Sequence, residues 1–256
     1  GCHSIEQLQN TLYLTTEELS PLRSVQEKFP LFVNPYYLSL MDPFDPNDPI
    51  RKMCIPSVHE LDSAGSTDTS GEGSNTVLPG LQHKYAQTAL VLSTDQCAMY
   101  CRHCFRRRMV GRSTEETVLD INEIVSYIRS HREISNVLIS GGDAFMNSNA
   151  IIESWLAHLC TIPHLDFIRF GTRTPVVLPQ RITTDNELQD ILKRYSEKKR
   201  IYVVTQFNHS YEITPAAKEA VNDLLRIGIP VRNQTVLLKG INDDAEILSD
   251  LLRDLT

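Results

Sequence analysis

The apolar run Ala89-Leu90-Val91-Leu92 leads, after four residues, into the stretch Cys97-Ala98-Met99-Tyr100-Cys101-Arg102-His103-Cys104. Three cysteines therefore follow a candidate strand, with three and then two residues between them. Thiolates are the usual protein ligands of iron–sulfur clusters, and cysteines this close together can reach three corners of one cluster. A cubane has four irons, so one iron is left open to a small molecule. An open coordination position marks a chemical site, as it does in catalytic zinc centres.

The same cysteines allow two simpler interpretations, which stay open at this point. Structural zinc would need a fourth ligand, and His103 is adjacent to Cys104 rather than at finger spacing. Inert thiols are the second alternative. Disulfides are disfavoured because scattered cysteines in a chain of this size, with no visible export signal, do not form a bridge framework. We expect Cys2, Cys54 and Cys160 to be ordinary buried or surface thiols.

Composition narrows the class of protein. The chain has 256 residues, of which 41% are hydrophobic and 22% charged, which is typical of a globular protein with one sizeable core. No apolar run approaches the roughly 20 residues needed to span a bilayer. A net charge of −7 argues against nonspecific nucleic-acid binding. We therefore expect a cytoplasmic protein that binds neither membrane nor nucleic acid.

The second half of the chain alternates strand-like and helical patterns. Such alternation predicts a parallel sheet with helices outside it, and right-handed crossovers would curl the sheet into a partial (β/α) barrel. We count five strand–helix units. The predicted strands are Ala89–Leu92, Val137–Ile139, Phe167–Phe170, Ile201–Val204 and Val231–Leu238. The predicted helices are Ile121–Ser130, Ala150–Cys160, Asn186–Tyr195, Pro215–Ile227 and Asp244–Leu255.

The first 80 residues follow a different pattern. Ser4–Leu12, Thr16–Lys28 and Asn34–Leu40 read as helices, and Thr15 with Glu18 forms a capping box at the start of the second. Residues 62–75 have almost no apolar side chain, so we expect a mobile linker there. The predicted fold class is thus α/β, with a helical extension and linker over residues 1–80 and the partial barrel over residues 81–256.

Polar residues collect where the predicted strands end, which is the edge where such folds build their sites. Ser140-Gly141-Gly142-Asp143 follows the second strand; the glycines would let the backbone approach a ligand, and Asp143 could accept a hydrogen bond from an ammonium. Asn233, Gln234 and Thr235 interrupt the apolar fifth strand. Burying such groups without partners costs about 1–3 kcal/mol each, which predicts a ligand cavity. The other polar residues at strand ends are Thr172, Arg173, Gln206 and Asn208.

Five ordered blocks resemble the lysine 2,3-aminomutase family of the radical S-adenosylmethionine (SAM) enzymes. Together with residues 34–55 they cover most of the chain. The blocks are CAMYCRHCFRRRMVG at 97–111, ISGGDA at 139–144, GTRTPVVLPQRIT at 171–183, FNH at 207–209 and NQTVLLKGIND at 233–243.

This resemblance implies a radical SAM barrel with a [4Fe–4S] cluster on Cys97, Cys101 and Cys104, and with SAM on the open iron. It implies reductive SAM cleavage to a 5′-deoxyadenosyl radical and isomerase activity that moves an amino group from carbon 2 to carbon 3 of an amino acid with the help of pyridoxal phosphate (PLP). Arg106 stands where the family binds the amino-acid carboxylate. The implied cofactor-binding residues are Ser140, Gly141, Gly142, Asp143, Arg173 and Gln234. The implied partners are the amino acid, an electron donor of flavodoxin or ferredoxin type, and further copies of the chain in a homo-oligomer.

Several family features have no counterpart here. The PLP lysine and the sixth strand would lie beyond Thr256, so we expect an incomplete chain or a variant without PLP. Thr88 stands in place of an arginine that assists PLP phosphate binding, and Gln206 in place of a histidine. A radical SAM protein without PLP, or a cluster- or metal-binding module without turnover, is the alternative function.

Overall fold

One seven-stranded sheet runs through the computed structural model, which describes residues 1–62, 64–112 and 114–256. Its strands lie in chain order, and β3 to β7 are mutually parallel, whereas β1, β2 and β3 are antiparallel neighbours. Within the described residues the sheet stays open, which confirms a partial barrel. The strands are β1 Thr76–Leu78, β2 Leu81–Tyr85, β3 Thr88–Leu92, β4 Asn136–Ser140, β5 Phe167–Gly171, β6 Arg200–Thr205 and β7 Val231–Asn233.

Helices precede the sheet and connect its parallel strands. Each predicted helix is present within one or two residues of its expected ends, except that the third is a short turn. The helices are α1 Ile5–Leu12, α2 Thr16–Lys28, α3 Pro35–Leu38, α4 Pro49–Cys54, α5 Glu72–Asn75, α6 Ile121–Ser130, α7 Asn149–Leu159, α8 Thr174–Val177, α9 Gln180–Thr183, α10 Asn186–Ser196, α11 Pro215–Arg226 and α12 Ala245–Asp254. Short 3-10 helices span Val58–Leu61, Ala144–Met146 and Ser210–Glu212.

The main core lies between the sheet and the helices that connect its strands. Alternate residues of each parallel strand enter it, as in β4, where Val137 and Ile139 are fully buried. Trp155 of α7 is 1% exposed and packs in the same cluster. This two-residue alternation on strands, with a helical stripe opposite, is the pattern that made the strand–helix units predictable.

The last parallel strand is shorter than predicted. It ends at Asn233 instead of Leu238 because side chains take over the hydrogen bonding there. Asn233 Oδ1 accepts from the Phe207 amide at 2.7 Å, and Asn208 Oδ1 accepts from the Val236 amide at 2.9 Å. Two polar side chains thus replace the strand ladder after β7.

The sequence pattern did not reveal the antiparallel hairpin of β1 and β2. Its strands are short, and β2 reads Leu-Gln-His-Lys-Tyr, without the apolar alternation of a typical strand. Thr76 pairs with Gln82, so the hairpin crosses the boundary predicted at residue 80. The division of the chain at that position stays a prediction.

A second core joins the N-terminal helices to the loops at the carboxyl ends of the strands. Ile5, Leu8 and Met53, all fully buried, share this cluster with Ala98 and Val176. The N-terminal helices therefore cover the cysteine loop from one side.

Asn34 ties this layer to the site by hydrogen bonds. Its Nδ2 donates to the Ala98 carbonyl at 2.9 Å and to the Val177 carbonyl at 2.7 Å, while its Oδ1 caps α3. Asn34 is only 5% exposed, so these bonds are shielded from water.

The predicted linker at residues 62–75 is partly built into the fold, and Ser63 within it lies outside the described residues. Glu72, at the start of α5, is 4% exposed and forms ion pairs with Arg106 and Arg108. The C-terminal end of this segment therefore has fixed contacts, and the mobility of the predicted linker stays a prediction.

No helix among the described residues is both long and apolar enough to cross a bilayer.

Candidate iron–sulfur and cofactor site

The cysteine loop, residues 97–104, lies beyond the carboxyl end of β3. Two backbone hydrogen bonds hold it to the N-terminal layer: the Tyr100 amide donates to the Phe32 carbonyl and the Arg102 amide to the Met53 carbonyl, each at 2.9 Å. The Arg102 side chain donates to both carboxylate oxygens of Glu60, at 3.0 and 2.7 Å. These contacts fix the loop through residues far away in the sequence.

All three loop cysteines are free thiols of intermediate burial. Burial raises the pKa of the Cys97 thiol well above its ordinary value, and Asp143, Cys104 and Cys101 raise it further. Burial and then Cys101 raise the pKa of Cys104 to about 11. The three sulfurs therefore lie close enough to repel one another as thiolates, and iron would relieve that repulsion.

This donor set fits a cluster. The described residues contain no group of three or more His, Cys, Asp or Glu side chains arranged around one metal ion. A cubane does not require that arrangement, because its thiolates bind different irons. Three thiols on one loop, with no fourth cysteine in it, match a cluster that leaves one iron open.

The glycines at 141 and 142 allow a close backbone approach within the chain. A Cβ at Gly141 would lie 2.3 Å from the Thr94 carbonyl oxygen, and one at Gly142 would lie 2.3 Å from the Gln96 carbonyl oxygen. The Gly142 amide donates to Thr94 O at 2.6 Å, and the Asp143 amide donates to Gln96 O at 2.8 Å. The glycines thus let this loop pack on the backbone that leads into the cysteine loop, and their expected contact with a cofactor stays a prediction.

Asp143 joins neighbouring strand-end loops. It is 4% exposed and accepts hydrogen bonds from the Thr172 hydroxyl, the Arg173 amide at 2.7 Å and the Phe145 amide at 3.0 Å. Burial raises the pKa of its carboxyl, although these donors oppose the shift. A carboxylate offers about four lone-pair sites, so one is left for a further donor.

Arg106 lies beside the glycine loop, already paired. Its Nε and Nη2 donate to Glu72 Oε1 at 2.9 and 2.8 Å, and its Nη1 donates to the Ser140 hydroxyl at 3.0 Å. Both Arg106 and Glu72 are more than nine-tenths buried. The anionic partner expected for this guanidinium is therefore a residue of the chain itself in this structure.

Arg173 bridges the cysteine loop and the loop after β6. Its Nη1 lies 2.9 Å from Cys101 Sγ, its Nε donates to the Gln206 carbonyl at 3.0 Å, and its Nη2 is ion-paired with Glu212. Glu212 is fully buried and also accepts from the Tyr37 hydroxyl at 2.6 Å. Sequence reasoning placed Arg173 at the site and missed its two buried partners.

The polar residues around β7 differ in whether their side chains have hydrogen-bond partners within the chain. Asn233 and Thr235 bond to the Phe207 backbone, so internal partners explain them without a ligand cavity. Gln234 is exposed, and among the described residues only its backbone amide forms a hydrogen bond, to Thr205 O at 2.9 Å. Its side chain forms no hydrogen bond with the described residues, which leaves it available to a bound molecule.

His103, in the cysteine loop, lies beside Gln206. Burial, and then the charge of Arg173, lower the pKa of His103 to about 3, and a hydrogen bond that the Gln206 side-chain oxygen accepts opposes this shift. The Nδ1 of His103 is buried without a partner among the described residues. The imidazole is therefore neutral, with one ring nitrogen available to a bound molecule.

A cleft of about 480 Å³ opens on one side of the cysteine loop. His103, Cys104 and Phe105 form one wall, and residues 64–67 with Lys28 form others. The residues expected to contact SAM are not among those that line it. A smaller cavity of about 20 Å³ lies behind Cys101 and Cys104.

Comparison with known proteins agrees with this arrangement. The sequence profile of the radical SAM superfamily matches residues 91–252, from β3 to α12. The chain belongs to the radical SAM superfamily. The matched segment contains all three loop cysteines, the end of β3 and the whole of β4 to β7.

Three relatives narrow the family further. The chain is 45% identical over 257 aligned positions to an Aquifex aeolicus protein provisionally assigned as an L-lysine 2,3-aminomutase, covering 98% of this chain and 68% of that protein. It is 42% identical to the L-lysine 2,3-aminomutase of Clostridium subterminale, covering 98% of this chain and 60% of the relative. It is 40% identical to the glutamate 2,3-aminomutase of Clostridioides difficile, covering 98% and 59%.

This radical SAM chain is thus a member of the 2,3-aminomutase family, as its five sequence blocks predicted. It spans about three fifths to two thirds of the length of these relatives. The relatives include lysine and glutamate enzymes, so family membership does not select a substrate.

Proposed function

We propose that the protein acts as a radical SAM amino-acid 2,3-aminomutase, an isomerase that moves an amino group between adjacent carbons. The observation that carries this proposal is the convergence of three free thiols beside the Gly141–Gly142 loop, at the carboxyl end of a parallel sheet. The chain's identity to aminomutases over nearly its whole length supports it.

Cys97, Cys101 and Cys104 would hold the [4Fe–4S] cluster, and SAM would bind the open iron. When bound, the cluster supplies the electron that cleaves SAM reductively. The chain contributes position and shielding: the glycine loop fixes the start of the cysteine loop, and the N-terminal layer covers it. Gln234, whose side-chain amide has no hydrogen bond with the described residues, and the remaining acceptor site of Asp143 are proposed SAM contacts, together with Ser140, Gly141, Gly142 and Arg173.

For Arg106 we propose contact with the carboxylate of the amino acid. Glu72, Ser140 and the Gly141 carbonyl take four of the five guanidinium N–H groups. One N–H is left for the substrate, and a second becomes free if the long 3.4 Å contact to Gly141 O is displaced. Lys retains the charge but not this fixed geometry.

A second candidate is a radical SAM protein that works without PLP. Thr88 favours it, because its hydroxyl donates to Asn136 Oδ1 at 3.2 Å and brings no positive charge for a phosphate. In a chain extended to the length of these relatives, absorbance of an imine on addition of PLP would favour the aminomutase, and unchanged spectra would favour this alternative.

The test uses the protein extended to the length of its relatives, reconstituted anaerobically with PLP, dithionite, SAM and single β-deuterated amino acids, lysine and glutamate first. We expect 5′-deoxyadenosine that carries deuterium from one amino acid. Arg106→Lys should still form unlabelled 5′-deoxyadenosine but lose most deuterium transfer, whereas the control Arg107→Lys should transfer normally. Deuterium transfer by Arg106→Lys at the wild-type rate would overturn the carboxylate role, and no 5′-deoxyadenosine from wild type would overturn the function.

A flavodoxin- or ferredoxin-type donor, a homo-oligomeric state and a cytoplasmic location remain part of this proposal. An oxygen-sensitive cluster that needs an electron for each activation favours the donor and the reducing compartment.

A further inference from the structure

Arg173, Glu212 and Tyr37 form a buried group of hydrogen-bonded and charged side chains. It brings together residues from the end of β5, the 3-10 helix Ser210–Glu212 and α3. Arg173 is 8% exposed, and Glu212 and Tyr37 are fully buried. Burying an ion pair is costly unless its geometry and hydrogen bonding are nearly complete, so such a group calls for an explanation.

The Glu212 carboxylate has a full set of hydrogen-bond donors, and none of them comes from the cysteine loop. The carboxylate accepts from Tyr37 Oη at 2.6 Å, from the Asn208 amide at 2.6 Å and from the His209 amide at 3.3 Å, besides its ion pair with Arg173. These bonds hold the carboxylate in one orientation. They also hold the Nη2 edge of the guanidinium, which leaves the Nη1 edge pointing elsewhere.

The Nη1 edge of the Arg173 guanidinium contacts the sulfur of Cys101. Arg173 Nη1 lies 2.9 Å from Cys101 Sγ, within the range of an N–H···S contact. The Gln206 carbonyl, at 3.0 Å from Nε, stops the guanidinium from rotating away. The guanidinium plane is therefore fixed at three points, of which only one is a cysteine.

We propose that Arg173 donates a hydrogen bond from Nη1 to the Cys101 thiolate as a cluster ligand and thereby raises the reduction potential of the cluster. Glu212 and Tyr37 are positioning residues that hold the donor in place. The inference rests on the proposed cluster, and it assigns a function to residues that neither the cysteine motif nor the glycine loop includes.

The cluster has a different net charge in its oxidised and reduced states. One-electron reduction makes the cluster and its thiolates more negative. A donor and positive charge beside one sulfur stabilise that reduced state more than the oxidised state, and hydrogen bonds to cluster sulfurs are a recognised control of potential. Glu212 balances the charge of Arg173, so it limits the same effect.

The two partners should therefore shift the potential in opposite directions. Arg173→Met removes the donor and the charge, and the potential becomes more negative. Glu212→Gln keeps the shape and accepts the same amide donors but leaves Arg173 uncompensated, so the potential becomes less negative. A merely structural role for the pair would not give opposite signs.

The experiment is an EPR-monitored redox titration of the reconstituted cluster without SAM, in equilibrium with dithionite through mediators. At the wild-type midpoint, Arg173→Met should lower the ratio of reduced to oxidised cluster at least about tenfold, which corresponds to roughly 59 mV for one electron. Glu212→Gln should raise that ratio. Arg169→Met is the matched control: Arg169 is half-buried, has no carboxylate partner among the described residues, and should leave the ratio unchanged.

Arg173→Gln replaces Arg173→Met in this experiment if the latter does not assemble a cluster. Its side-chain amide can still bond to Glu212, but it brings no positive charge to Cys101. Equal midpoints in the Arg173 and Glu212 variants, or shifts of the same sign, would overturn the proposal. So would loss of the cluster from all three variants while Arg169→Met retains it, since the role would then be structural. A wild-type protein with no reducible cluster would instead overturn the proposed function.

Discussion

Replacing Gly141 by Ala separates two explanations for the glycine loop. Gly141 has a φ of +118°, and an added Cβ would lie 2.3 Å from the carbonyl oxygen of Thr94. That oxygen accepts from the Gly142 amide at 2.6 Å, so the backbones cannot move apart without losing this bond. The structure therefore predicts damage to the fold, whereas a glycine kept for ligand approach would leave the fold intact.

Two contributions lower the free energy of unfolding of Gly141→Ala. The unfavourable φ costs about 1–3 kcal/mol for a residue with a side chain. Displacing Thr94 leaves a buried donor unpaired, at about 1–3 kcal/mol. The total is roughly 2–6 kcal/mol, and at about 2–4 °C per kcal/mol for a chain of this size the Tm should fall by on the order of 10 °C.

Gly228→Ala is the matched control. Its φ is +83°, and nothing lies within 4 Å of an added Cβ, so it bears only the backbone cost of about 1–2 kcal/mol. Thermal unfolding by circular dichroism and iron content after reconstitution are measured for both variants. We expect Gly141→Ala to have the lower Tm and reduced iron. Equal Tm values and full iron, with only the SAM response lost, would refute the reasoning.

Three further changes test other parts of the site. Asn34→Ala removes two buried hydrogen bonds and a helix cap, so urea unfolding should show a loss of roughly 2–4 kcal/mol, against little change for the exposed Asn122→Ala. Arg106 and Arg108 lower the pKa of Glu72 from 4.5 although burial opposes them. The wild type should accordingly be more stable than Glu72→Gln above about pH 4.5, with the difference lost as pH falls through the folded pKa; a constant difference down to pH 2 would contradict this. Gln234→Ala should weaken SAM binding in isothermal titration without lowering Tm. A lower Tm together with the weaker binding would instead indicate a structural role for Gln234.

The repeating part of the fold was predictable because local patterns specify it. Each parallel strand buries alternate residues, and helices such as α6 and α10 have one apolar stripe, so periodicity found them within one or two residues. The cysteine loop was predictable for another reason, since the chemistry of its ligands requires residues close together in sequence.

The partners of the site residues were not predictable in this way. Glu72 bonds to Arg106 across 34 residues, and Glu212 to Arg173 across 39 residues, and neither acid stands in a motif of its own. Only the family resemblance indicated an anion at Arg106, and it named a substrate carboxylate without indicating that a carboxylate of the chain also lies there. The internal partners of Gly141 and Gly142 were not predictable for a similar reason, because a glycine in the sequence indicates a close approach and not which group approaches.

The claim that the three loop cysteines form one cluster with an open iron is tested most directly by iron content and EPR spectra. Wild type, Cys101→Ala and the control Cys160→Ala would be reconstituted anaerobically, reduced, and measured with and without SAM. We expect about four irons per chain in wild type and Cys160→Ala, with a reduced-state signal that SAM changes, and loss of that signal in Cys101→Ala. Zinc in place of iron, a signal that persists in Cys101→Ala, or a signal that saturating SAM leaves unchanged would contradict it.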